Sequence, residues 1–216
     1  MARSIFFIIS LLFCCNFQVA RAQTDWKFVA EKEGIKVYSR SVTGSKVKAL
    51  KVECTLNTSL SALVTLLLDV PATTQWVYHT KSCVLLKQVS PAELFYYSEV
   101  NLPWPLENRD FVAHVQVSQD KASRVVTVNA PAIPGWVAPK KGIVRVNQSL
   151  GFWTITPLNH AQVKVAYSLQ VDPGGVIPAW AVNLLSSQGP IESFIKMRQH
   201  LQLPRYRNAV LDFIQN

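Results

Sequence analysis

The sequence lacks the signatures that usually announce chemistry. It has no His-Glu-x-x-His pair for a catalytic zinc, no Cys-x-x-Cys, no Gly-x-Ser-x-Gly elbow and no phosphate-cradling glycine loop. The histidines His79, His114, His160 and His200 stand in unrelated contexts, so the sequence pairs no nucleophile with a base. No catalytic residue, metal or cofactor is therefore expected. Basic residues outnumber acidic ones, 22 to 13, for a formal charge of +9. They are scattered, however, without a dense Lys/Arg cluster or a nucleic-acid-binding motif, and nucleic acid is not an expected partner. The basic excess leaves two readings open: salt-screened attraction to anionic partners such as lipid headgroups, or plain solubility.

Long hydrophobic runs are also missing. The run from Ile5 to Cys15 is too short to cross a bilayer as a helix, which takes about 20 residues. With Arg3 before it and Ala20-Arg21-Ala22 after it, it reads as a signal peptide cleaved after Ala22. Phe13 before Cys14 argues against a lipoprotein. The expectation is a leader over residues 1–22 and one domain over 23–216, exported to a periplasm or to the outside. The leader holds Arg3 and Arg21 and no acid, so its loss lowers the formal charge from +9 to +7. Cys14 and Cys15 leave with it. Cys54 and Cys83 remain, either as a bridge suited to an exported chain or as small buried thiols. No repeat, low-complexity tract or polar linker divides the remainder, which is long enough for a sizeable core.

What is present is alternation. Phe111, Ala113, Val115 and Val117 share one face of a strand, with Val112, His114, Gln116 and Ser118 on the other. Val163, Val165, Tyr167, Leu169 and Val171 do the same near the end of the chain. The spacing predicts a short helix over Asp25–Lys32 and strands near 35–41, 47–55, 83–89, 93–100, 111–118, 124–129, 142–147, 151–156 and 162–171. It also predicts a helix capped by Thr58 or Ser59 that runs to Asp69, and a short one from Pro71 through Trp76. A long helix is expected from Pro178 to about Leu203, with Ala181, Leu184, Leu185, Gln188, Ile191 and Ile195 as its apolar stripe and an interruption at Gly189-Pro190. One apolar face per strand means an antiparallel sheet covered on one side, by that helix.

Two stretches carry more. Leu102-Pro103-Trp104-Pro105-Leu106-Glu107-Asn108-Arg109-Asp110-Phe111-Val112 is a proline-framed turn that feeds a strand. Asp172-Pro173-Gly174-Gly175-Val176-Ile177-Pro178-Ala179-Trp180 ends a strand and opens a helix. With Trp26, Gly34-Ile35-Lys36-Val37-Tyr38, Glu99 and Gly142-Ile143-Val144-Arg145, in this order, they resemble the START family of steroidogenic-acute-regulatory-related lipid-transfer domains, most closely its phosphatidylcholine-transfer branch. The resemblance implies an α+β helix-grip fold, a curved antiparallel sheet wrapped around a long C-terminal helix, with a tunnel for a hydrophobic small molecule or lipid. It implies a carrier rather than an enzyme.

The ligand wall is expected from Phe95, Tyr97, Glu99, Ala113, Val115, Arg145, Tyr167, Trp180 and Leu184. Core packing is the plainer role for the aromatics among them. Glu99 shares a face with Phe95 and Tyr97 and, if buried there, needs a partner or a proton; its other role is an architectural bridge to Arg145. The family pairs an acid at this place with an arginine six residues beyond the one matching Arg109, and that branch holds the lipid phosphate with it. Here the position is Val115, which favours a less charged guest. Related helix-grip proteins include aromatase/cyclases, so the alternative is an enzyme using Glu99 as a raised-pKa acid beside Tyr97 or Tyr167. Transient membrane contact is expected from the Asn129–Lys141 loop, where Trp136 either touches the bilayer or plugs the loop against the sheet.

Overall fold

A computed structural model describes residues 26–42, 49–175, 177–178, 181 and 184–216; the leader and Trp180 lie outside these residues. Ten strands form one sheet: β1 (Lys27–Lys32), β2 (Ile35–Arg40), β3 (Ala49–Leu56), β4 (Thr80–Ser90), β5 (Glu93–Val100), β6 (Asn108–Gln119), β7 (Val126–Pro131), β8 (Ile143–Arg145), β9 (Gln148–Asn159) and β10 (Gln162–Asp172). Their order is β1-β2-β3-β10-β9-β7-β6-β5-β4, antiparallel throughout, with β8 added in parallel on β6. The sheet and the C-terminal helix together make the helix-grip arrangement.

The first element differs from its sequence reading. Residues 27–32 form a strand, not a helix, because Lys32 pairs with Ile35 across a two-residue turn. Glu33 and Gly34 both take positive φ, 53° and 73°, as tight hairpins require. The helix-forming Ala, Glu and Lys of this segment have no apolar stripe to bury, so hairpin pairing overrides them.

α1 (Leu60–Leu68) forms as its sequence demands. Ser59 caps it by accepting a 3.2 Å hydrogen bond from the Ala62 N–H, and Leu60, Leu63, Val64 and Leu66 are buried. A 3₁₀ turn at Val70–Ala72, with Pro71 in its first positions, leads into α2 (Thr73–Trp76). Towards the C-terminus, a π-helical turn over Leu184–Gln188 passes directly into α3 (Gly189–His200), followed by α4 (Pro204–Arg207). The change of hydrogen-bond register falls at Gly189-Pro190, where proline has no N–H to donate. It also shifts the phase of the buried stripe. Phe194, Met197 and Leu201 are buried, Ile191 and Ile195 pack partly against the core, and Gln188 is exposed rather than part of the stripe.

Candidate ligand-binding face

Register decides which side chains meet. Leu94 pairs with Val115, Tyr96 with Ala113 and Ser98 with Phe111, so these six share a face. Leu94 and Val115 belong to the core cluster with Phe194 and Met197. Theirs is the inner face, towards α1 and α3. On β10 and its neighbours, Tyr167 pairs with Val52 and Trp153, and Val165 with Cys54 and Ile155, which places Tyr167 on the same inner side. Phe95, Tyr97 and Glu99 pair with His114, Val112 and Asp110 and therefore point to the outer face.

The nine expected wall residues thus do not form one set. Ala113, Val115 and Tyr167 are inner. Phe95, Tyr97 and Glu99 are outer, and Arg145 joins them through Asp110. Leu184 lies in the π-helical turn, and Trp180 falls outside the described residues. The sequence hid this split because both faces of β5 alternate equally well: Leu94, Tyr96 and Ser98 read as inward no less than Phe95, Tyr97 and Glu99.

The outer face is a fastened polar cluster. Arg145 donates to both carboxylate oxygens of Asp110, from Nε at 2.6 Å and from a terminal nitrogen at 3.0 Å, and to the carbonyls of Val137 and Ala138. The Tyr97 hydroxyl donates to Asp110 at 3.1 Å, and Lys140 lies 4.2 Å from the centre of the Tyr97 ring. Trp136 stacks on Phe95 at 4.2 Å, and Phe95 stacks on His114 at 4.2 Å, so the indole does plug its loop onto the sheet while remaining 45% exposed. Glu99 is 6% exposed and pairs with neither Arg145 nor a proton. Its carboxylate accepts from Lys81 and Asn108, each at 2.8 Å, and the Lys81 bond holds its pKa below the usual carboxylate value. That corrects the reading of Glu99 as a raised-pKa acid. Beside this pair, His79, Thr80, Lys81 and Asn101 line an open recess of about 380 Å³, too polar and shallow to shelter an apolar guest.

The inner face is closed at one end only. Val163, Val165, Val126, Val128, Leu56 and Leu94 are fully buried. Further along the inner face Tyr167, Leu169, Leu50, Ala130, Tyr96 and Phe111 keep part of their surface accessible, and of these Tyr167 meets the helix through Phe194. Trp153, Tyr167 and Phe194 form an aromatic wall, with Trp153 and Tyr167 4.2 Å apart. Gly151 opposite Leu169 leaves room for the Tyr167 ring, which a Cβ there would touch at 3.6 Å. At the open end, Arg109 donates to the carbonyls of Glu107, Pro173 and Gly174 and so ties the Pro173–Gly175 loop down. Cys54 and Cys83 are free thiols, and burial pushes them up to about 12 and about 11. Tyr96, Ser98, Phe111 and Cys83 were not among the expected wall residues.

The START domain family model matches residues 16–207. An uncharacterized protein of Pseudomonas aeruginosa is 32% identical over 174 residues, 81% of this chain and 85% of that protein. The phosphatidylcholine transfer protein of Mus musculus is 29% identical over 192 residues, 85% of this chain and 86% of that one. Among solved structures, a fragment of the STAR-related lipid transfer protein from Xanthomonas axonopodis has a TM-score of 0.75 at 32% identity, covering 82% of this chain and 99% of that chain.

Proposed function

Because the chain belongs to the START domain family, we propose that it is an exported carrier that shelters a hydrophobic molecule, a lipid, between the inner face of its sheet and the C-terminal helix. The observation that carries this reading is the half-finished burial of the inner face. Aromatic and branched side chains stay partly accessible there, beyond the end where α1 and α3 close the core. Burying a guest's apolar surface against them contributes about 25 cal/mol per Å² before ordering costs. Arg109, the charged side chain at the open end of this wall, is taken up by backbone carbonyls, and Val115 is 4% exposed in the core cluster. A phosphate would find no free cation at that position, which favours a guest of little charge.

Entry requires a gate. The loop over 133–138 is held on the outer face by Arg145 and Phe95, and Pro173–Gly175 is held by Arg109, so the moving part we propose is the π-helical turn that precedes α3, whose shift would release the Arg109 hydrogen bonds. Export rests on the leader pattern of residues 1–22, and whether the carried molecule is transferred or sensed is set by its partners. The enzymatic alternative loses its acid, since Glu99 is ionised more readily than usual and faces away from the groove.

The decisive experiment is purification from the native compartment, followed by lipid extraction and mass analysis. A co-purified hydrophobic molecule near one per protein is expected. An empty protein that takes up no lipid from vesicles would end the carrier reading.

A further inference from the structure

Two phenols on the inner face have no hydrogen-bond partner among the described residues. Tyr96 projects from β5 and Tyr167 from β10, with β6, β7 and β9 between them in the sheet, and both point inward. Neither hydroxyl is one of the fully buried unpaired polar atoms, so each is open to the groove from a partly buried ring. Both rings are fixed. Tyr96 sits edge-on to Phe111 at 5.9 Å, and Tyr167 packs between Trp153 at 4.2 Å and Phe194 at 6.2 Å. Tyr96, Tyr167 and Cys83 all pack against the same buried core, which sets the two phenols on one side of the sheet. Burial pushes both phenols well above their ordinary range, so at neutral pH each keeps its proton and can donate.

We propose that Tyr96 and Tyr167 are the polar contact of the groove: they donate hydrogen bonds to an uncharged oxygen, hydroxyl or carbonyl, on an otherwise apolar guest. This rests on the carrier reading above and adds the class of guest. A carboxylate is disfavoured because no free cation among the described residues meets it there, and a pure hydrocarbon leaves both donors unsatisfied. The tyrosine hydroxyls thereby discriminate between guests of equal apolar area, as sites built around hydrogen-bond donors do.

The test titrates wild type and the variants Tyr96→Phe, Tyr167→Phe and the double variant with dodecan-1-ol, dodecane and dodecanoate, following tryptophan fluorescence. The double variant should lose about tenfold in affinity for the alcohol while its affinity for the alkane holds within about twofold. Melting temperatures should be unchanged, because the hydroxyls have no hydrogen bond among the described residues to lose. Wild type should bind dodecanoate more weakly than dodecan-1-ol. An alcohol-to-alkane preference that the double variant leaves unmoved overturns this inference and spares the carrier reading. Failure of wild type to bind either the alcohol or the alkane overturns both.

Discussion

Asp110 is 1% exposed and takes two hydrogen bonds from Arg145, at 2.6 and 3.0 Å, and one from Tyr97. Cutting it to alanine leaves a largely buried guanidinium uncompensated, at a cost of about 3–5 kcal/mol. Urea unfolding of Asp110→Ala should show this loss, and Asp110→Ala combined with Arg145→Leu should recover part of it. Glu99 predicts a pH response. Its folded pKa lies below the ordinary value, so its stabilising contribution is complete above the unfolded carboxylate pKa near 4.3 and is lost as pH falls through the folded value. Urea midpoints measured from about pH 5 down to about pH 3 should therefore fall less steeply in Glu99→Gln than in wild type. The Cys83 thiol, pushed up to about 11 on the groove side, should react slowly with iodoacetamide at neutral pH, and more slowly still once a guest is loaded.

Among the elements, α1 and the strands β6 and β10 were legible because each carries a complete local signal. Ser59 supplies the cap, and an unbroken alternation fixes the strand faces. β1 was not legible, since its partner is defined by the turn and not by its own composition. Gly34 holds that turn at φ 73°, with no atom within 4 Å of where a Cβ would stand. Gly34→Ala should therefore cost about 1 kcal/mol through backbone strain alone, read as a lower melting temperature with ligand uptake intact. The C-terminal helix was legible as an element, including its interruption at Gly189-Pro190, but not in phase, because a π turn displaces the stripe that a uniform period would predict. Phe194, rather than the expected Gln188, faces the core, and Phe194→Ala should cost about 3–5 kcal/mol.

For the whole molecule, the fold could be read from the order of short motifs, while the site could not, because a strand's alternation names two faces without saying which one is inward. Only the pairing of β5 with β6 settles that question. The surface association we propose would likewise depend on the assembled protein. Trp104 is 91% exposed on the turn between β5 and β6, near the end of the sheet where Arg109 fastens the Pro173–Gly175 loop, and the chain carries a formal charge of +9. Binding to vesicles rich in anionic lipid should exceed binding to neutral ones and weaken with salt, and Trp104→Ala should lower it without changing the melting temperature.

Arg109 and Asp110 are consecutive in the chain, yet one grips a loop on the concave side and the other a loop on the convex side. A slip of β6 by a single position would exchange them, driving a carboxylate into the oily side and pulling both clasps open at once. The dipeptide therefore acts as a proofreading key for strand alignment, since misthreaded versions of this sheet forfeit both fastenings together.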